Sequence, residues 1–363
     1  MKEINKNINN VYDLFNIKSL VILKKVLYNL KENVLLNIIR NNKKLMNKLN
    51  KNINDYKKAS KIEVEIVLVE NPRDIEKNLF INDIAYKKHE SFYHIYFNDS
   101  LEEINRNYIN KKDKVNKIKI IIDYEIESLA NLFQSCQYIK AIKFIQFQKI
   151  NVRKMNNMFC ECPHLSELNF KKFKTNNVTD MSQMFYGCES LTKLDLSKFN
   201  TSHVKSMTEM FRGCKKLKEI DFSSFNTKNV KDMSFMFHGC SSLKNIDLSN
   251  FNTTSVNNMH SMFNFCTSLE KLNISNFNTK NVKNLKSMFS ECKKLKNINT
   301  AFNINNAINM DEMFLNCQLI KEITLTNFND NIVHNHMKDM FTGCSSLKKI
   351  DCSAECLNVL FKQ

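Results

Sequence analysis

Glycine and proline are almost missing from this chain, and tryptophan is missing altogether: 363 residues hold four glycines and two prolines. So little glycine excludes a phosphate-cradling glycine loop and argues against a fold rich in tight glycine turns. The catalytic patterns are missing too. The eight histidines (His89, His94, His164, His203, His238, His260, His334 and His336) are scattered, with no H-E-x-x-H pair and no G-x-S-x-G elbow for one of them to serve. No apolar run reaches the ~18 residues needed to cross a bilayer. The opening MKEINKNINN is polar, and no apolar signal core follows it. These absences lead us to expect a non-enzymatic chain without metal or cofactor, working inside the cell and in the cytoplasm.

What is present is charge, sulfur and periodicity. Fifty-four Lys and Arg face 37 Asp and Glu, a net charge of +17. Residues 1–60 carry 13 basic against 4 acidic side chains, residues 61–127 carry 11 against 14, and residues 128–363 carry 30 against 19. A basic balance favours nucleic acid, anionic membrane or an acidic protein as partner. It is also what lysine-rich coding produces, since lysines sit beside acids in most segments, and the heavy use of Lys, Asn and Ile reads the same way.

The dipeptide Met-Phe recurs at Met158, Met184, Met210, Met236, Met262, Met288, Met313 and Met340, with Leu132-Phe133 one period upstream. The step is 26, with one slip to 25 and one to 27. Nine of the twelve cysteines keep the same clock, three residues after each Phe: Cys136, Cys162, Cys188, Cys214, Cys240, Cys266, Cys292, Cys317 and Cys344. A fixed period of this length marks a solenoid. In the clearest copy Val178, Met181, Met184, Phe185 and Cys188 have the spacing of one face of a helical turn or short helix. Leu194 and Leu196 then alternate with Lys193, Asp195 and Ser197, as in a short half-buried strand. One such unit buries neither face alone, so copies must stack.

The repeat M-F-x-x-C-x-x-L-x-x-L-D-L-S-x-F-N-T resembles the BspA-like leucine-rich repeat family over roughly residues 128–352. The leucine-rich core is carried by Leu191/Leu194/Leu196, Leu217/Ile220/Phe222, Leu243/Ile246/Leu248 and Leu269/Leu272/Ile274. The resemblance implies an α/β leucine-rich-repeat solenoid of about nine coils, one short parallel strand per coil, used for protein–protein or surface contact. Many members are secreted or surface-attached, and the polar start of this chain departs from them.

Within that frame the cysteine column reads as small apolar filling of the core, reduced and not metal-bound. Cys160, Cys352 and Cys356 fall outside the column, but neither Cys160/Cys162 nor Cys352/Cys356 has histidine partners in a zinc-ligand spacing. Asn200, Asn226, Asn252 and Asn278, each followed by Thr, read as stacked amides satisfying one another and the turn backbone. Phe173, Phe199, Phe225, Phe251 and Phe277 read as an aromatic spine. The candidate binding residues are the outward strand positions: Lys193, Asp195 and Ser197; Glu219, Asp221 and Ser223; Asn245, Asp247 and Ser249; Lys271 and Asn273, with Glu167, Asn169 and Lys171 before them. Asp195, Asp221 and Asp247 fall on three successive strands, an acidic stripe whose members repel one another unless a cation or basic partner intervenes. The same aspartates are also simply part of the repeat.

Residues 1–60 read as a basic helical segment and residues 61–127 as a strand-containing cap before the solenoid of 128–363, whose last copy degenerates into a C-terminal cap. Leu20, Leu23, Val26, Leu27, Leu30, Val34, Leu35, Ile38 and Ile39 keep helical spacing and resemble an F-box hairpin, without that motif's Leu-Pro or its Trp. That resemblance implies recruitment of a Skp1-type adaptor for ubiquitin ligation. A basic amphipathic helix on anionic membrane or nucleic acid is a further reading. In the cap, I-E-V-E-I-V-L-V at 62–69, His94–Phe97 and Ile118–Ile122 read as strands.

Overall fold

The computed structural model of the protein describes residues 61–69, 77–88, 90–110, 112–122, 127–147, 152–298, 300–327 and 336–353. The expected basic helices and the F-box-like stretch lie outside the described residues, as does the chain from 354 onward.

Ahead of the coils come β1 (Ile62–Leu68), β2 (Asn78–Leu79), the short helix α1 (Asp83–Lys88), β3 (Tyr93–Phe97), β4 (Tyr108–Ile109) and β5 (Lys117–Ile122). The coils supply β6 (Ile139–Phe147), β7 (Glu167–Asn169), β8 (Lys193–Leu194), β9 (Glu219–Ile220), β10 (Asn245–Asp247), β11 (Lys271–Asn273), β12 (Ala301–Asn303), β13 (Glu322–Thr326) and β14 (Lys349–Asp351). Coil strands pair in parallel with their neighbours, as in Lys193↔Glu219 and Asn245↔Lys271. A second parallel ladder of single bridges runs along another edge, from Ser128↔Lys154 through Asn284↔Asn309. The result is a leucine-rich-repeat solenoid. In the 25-residue copy the paired residues shift late in the coil, to Ala301–Asn303.

The three cap strands are where alternation placed them, and they join the coils. β1 lies antiparallel between β5 and β6, so the five-stranded sheet runs β3-β5-β1-β6-β7. Its inward residues Ile62, Val64, Ile66 and Leu68 are buried while Glu63, Glu65 and Val67 face out. β1 therefore covers the edge that the first coil strand would otherwise leave with unpaired amides.

The Met-Phe segment corrects the helical expectation. It is a run of tight turns, not a helix. Met184 N–H bonds to Met181 C=O and Cys188 N–H to Phe185 C=O, closing two four-residue turns. The third residue of each has a left-handed backbone, Gln183 (φ 57°) and Gly187 (φ 68°). The same two positions recur around the column as Asn157/Glu161, Glu209/Gly213, Phe235/Gly239, Ser261/Phe265, Ser287/Glu291 and Glu312/Asn316. Tight turns are thus abundant despite the shortage of glycine, and all four glycines sit at the second of these positions. A left-handed L-residue costs roughly 1–2 kcal/mol. What holds it here is the next coil: Gln183 N–H bonds to Thr208 C=O (2.9 Å) and Glu161 N–H to Tyr186 C=O (2.7 Å).

The spine also moves. The Met-Phe rings stack face to face in an unbroken column from Phe133 to Phe341, for example Phe185–Phe211 and Phe211–Phe237 at 5.5 Å between centroids and within 8° of parallel. In the expected column Phe173–Phe199 and Phe225–Phe251 stack as pairs beside it. The asparagines do not bond one another. Asn200, Asn226, Asn252 and Asn278 each accept through Oδ1 from the backbone N–H two residues on. Their neighbours Thr201, Thr227, Thr253 and Thr279 are buried, and each donates its hydroxyl to a backbone carbonyl of the next coil. These four asparagines thus have turn work to do that coding bias alone does not explain.

The cysteine column is buried from Cys136 to Cys317, and the thiols are free. Burial pushes the Cys240 thiol up to about 12 and its neighbours well above the ordinary thiol range. Such thiols stay protonated and poorly nucleophilic, the behaviour of core filling.

Candidate protein-binding face

The outward side of the strands is one continuous surface, because β6 is at once a coil strand and the partner of the cap strand β1. Pairing aligns two rows across it. The first runs Val67, Ala141, Glu167, then Lys193 with Glu219, then Asn245 with Lys271. The second runs Glu65, Lys143, Asn169, then Asp195 and Asp221, then Asp247 with Asn273. All the expected binding residues lie on this side. Lys193, Asp195, Glu219, Asp221, Ser223, Asn245, Asp247 and Lys271 are exposed; Ser197, Ser249 and Asn273 are half-buried.

A groove of about 910 Å³ lies over its cap-proximal half, walled by Glu65, Lys143, Glu167, Lys193, Asp195, Glu219 and Asp221. Its floor includes Ala141, Leu168 and Val67, the last 37% exposed. A second depression of about 560 Å³ lies further along, over Asn245, Asp247, Lys271 and Asn273. Sequence reasoning missed Glu65, Val67, Ala141 and Lys143. The alternation of 62–69 put Glu65 and Val67 on the polar side of a strand, but nothing in sequence spacing says that this strand pairs with the first coil.

The aspartate stripe has a structural task. Oδ1 of Asp195, Asp221 and Asp247 accepts the backbone N–H of Ser197 (3.0 Å), Ser223 (2.8 Å) and Ser249 (2.9 Å), turning the chain at the strand end. The Ser197 hydroxyl and then its backbone amide hold the Asp195 carboxyl below the ordinary carboxylate range; at Asp247 the Ser249 amide leads and its hydroxyl follows. Asn169 and Asn273 make the same turn with a neutral amide, to Lys171 (3.1 Å) and Ser275 (3.3 Å). The turn therefore needs the oxygen and not the charge. Glu65 shares Lys117 at 3.1 Å with Asp99.

Among the described residues no group of three or more His, Cys, Asp or Glu is placed to hold a metal ion, and no helix is long and apolar enough to cross a membrane. Among the described residues the buried column of protonated thiols lies apart from any histidine that could serve it as a base. The face offers shape, charge and hydrogen-bonding groups, which is the equipment of recognition.

A family model described as Mycoplasma protein of unknown function, DUF285, matches residues 127–246, 215–328 and 242–354. These overlapping matches fit the BspA-like resemblance read from the Met-Phe and cysteine spacing. No curated protein matches the chain. Among solved structures, a leucine rich cell surface protein from Faecalibacterium prausnitzii is similar at 16% identity and TM-score 0.27, over 63% of this chain and 78% of that one. A leucine rich repeat protein from T. pallidum is similar at 18% identity and TM-score 0.29, over 58% of this chain and 84% of that one. At those scores neither bears on where or how this chain acts, and nothing in these relatives carries the adaptor-recruiting reading of the first 60 residues.

Proposed function

The chain belongs to the family described as Mycoplasma protein of unknown function, DUF285, and we propose that it is a non-catalytic scaffold that captures a protein partner on the outward face of its strands. The observation that supports this most directly is the face itself. Two rows of outward side chains, mostly polar, follow one another from the cap strand through the coil strands, over a groove large enough to seat a peptide segment. Interior positions repeat nearly unchanged from coil to coil, while the outward ones vary among Glu, Lys, Asn and Asp. A recognition surface needs that freedom and a solenoid core forbids it. In this reading residues 61–127 both cap the stack and extend the face.

A photo-crosslinking residue placed at Lys193 or Asn245 tests this against one placed at Lys231 or Lys283, which lie on another side of the coil. Protein adducts in native lysate are expected from the first pair and not from the second. Equal yields from all four positions, or none from the face, overturn the proposal.

A further inference from the structure

The groove is acidic in a chain whose net charge is +17. Five carboxylates line it (Glu65, Glu167, Asp195, Glu219 and Asp221) against two ammonium groups, Lys143 and Lys193; with Glu65 already paired to Lys117 at 3.1 Å, four carboxylates remain against the two. Lysine-rich coding explains a basic surface and does not explain this reversal. Folding does not explain it either. At Asp195 and Asp221 one oxygen closes the strand-end turn, and Asn169 and Asn273 show that an uncharged amide closes it as well. The negative charge at 195 and 221 is therefore surplus to the coil. Carboxylates on neighbouring strands, ~4.8 Å apart, raise one another's energy unless opposite charge comes between them. Among the apolar side chains of the groove, Val67 with Ala141 sits at the cap end of the first row, and Val67 is the most exposed of them at 37%.

Resting on the docking reading above, we propose that the groove takes an extended, lysine-rich segment of the protein partner, its ammonium groups between the two rows of carboxylates and an aliphatic side chain over Val67. Charge complementarity identifies the occupant: an anionic partner meets the carboxylates of Glu167, Asp195, Glu219 and Asp221 here, and a neutral one leaves their mutual repulsion in place. The apolar floor favours a peptide over a free polyamine. The cap strand contributes to specificity through Glu65 and Val67, so the face does not belong to the repeats alone.

The test uses the full chain and two fluorescent peptides of about twelve residues, one alternating Lys and Val, the other Glu and Val, titrated at low salt. The groove variant combines Glu167→Gln, Asp195→Asn, Glu219→Gln and Asp221→Asn, which keeps both turn-closing oxygens. The control variant combines Glu102→Gln, Glu127→Gln, Glu322→Gln and Asp351→Asn, which removes the same charge from exposed sites outside the groove. Circular dichroism confirms that both fold. The Lys-Val peptide is expected to bind the native chain against its overall positive charge, about tenfold or more weaker to the groove variant, little changed to the control, and weaker with added salt. The Glu-Val peptide is expected not to compete with it. Failure of the Lys-Val peptide to bind, or equal loss in both variants, overturns the inference. Crosslinking from Lys193 to a partner through a segment without lysine or arginine overturns it too, while leaving the docking reading intact.

Discussion

The thiol of Cys214 donates a hydrogen bond to the carbonyl oxygen of Phe185, one coil back, at a sulfur–oxygen distance of 3.1 Å. The same carbonyl already accepts the amide of Cys188. The bond recurs from Cys162 to Cys344, each thiol reaching the Met-Phe carbonyl of the preceding coil at 3.0–3.2 Å. Cysteine at this position is thus filling and fastening together. Cys214→Ala removes both and is expected to cost about 1–3 kcal/mol by urea denaturation. Cys214→Ser keeps a donor at the same reach and is expected to cost less. Equal losses in the two variants would assign the whole effect to packing.

Thr227 clips one coil to the next. Its buried hydroxyl donates to Asn252 C=O (2.9 Å) and accepts Asn252 N–H (2.8 Å). Thr227→Val keeps the shape and deprives the Asn252 C=O and N–H of their partner in a part-buried contact, so a loss of about 1–3 kcal/mol is expected. Thr227→Ser keeps both bonds and should lose only the packing of one methyl, about 1 kcal/mol. Amide exchange at Asn252 is the local readout: fast in the valine variant, slow in the serine one.

The left-handed turn position sets a pair of opposite expectations. Gly213 (φ 73°) and Phe265 (φ 59°) occupy it two coils apart. An added Cβ at Gly213 meets the Gly187 backbone only at ordinary contact distance, 3.6 Å. Gly213→Ala therefore carries just the backbone penalty, about 1 kcal/mol. Phe265→Gly releases the same strain at the expense of chain entropy, and since the ring is 48% exposed the two effects nearly cancel. Thermal melting that showed the phenylalanine variant falling as far as the alanine one would refute the strain assignment.

His238 carries a pH dependence. Burial, then the Arg212 guanidinium, depress its pKa from 6.5 to about 4. Unfolding returns it to 6.5, so the unfolded chain binds the proton more readily. Its contribution to stability is complete above pH 6.5, shrinks as pH falls toward 4, and is flat below. His238→Asn, with the side chain that Asn264 carries one coil later, should lose that slope. The melting temperature of the variant relative to the parent is expected to rise between pH 6.5 and 4; a constant difference would rule the histidine out.

The 26-residue clock, the short parallel strands and the buried columns were all legible from Met-Phe, Cys and Leu spacing, because a solenoid writes each interior position once per turn. The helix was misread for a physical reason. Val178, Met181, Met184, Phe185 and Cys188 point inward at intervals of three and one whether the backbone coils as a helix or as consecutive tight turns. Only hydrogen bonds between coils distinguish the two, and these lie 26 residues apart in sequence. Glycine scarcity misled in the same way, since the neighbouring coil holds Gln183 and Glu161 where an isolated turn would require glycine.

The site was half legible. Alternation around Leu194 and Leu196 exposed Lys193 and Asp195, and the same logic in later copies exposed the rest. Alternation could not tell that Asp195 gives one oxygen to Ser197, nor that Glu65, more than a hundred residues earlier, reaches the same groove. The first depends on backbone direction at the strand end, the second on an antiparallel pairing that no periodicity encodes.

The Phe185–Phe211–Phe237 stack gives the central coils matching upper and lower surfaces. A coil can therefore be gained or lost whole without creating a mismatched contact, whereas a change of even one residue within a coil goes with a shifted register, as the displaced strand of the 25-residue copy shows. Length is then the property this molecule can vary most easily. A unit like 190–215, duplicated in the gene, lengthens the face by one Lys or Glu and one Asp and leaves the interior as it was, so the reach of the surface can change with the number of turns while the chemistry of each turn stays fixed.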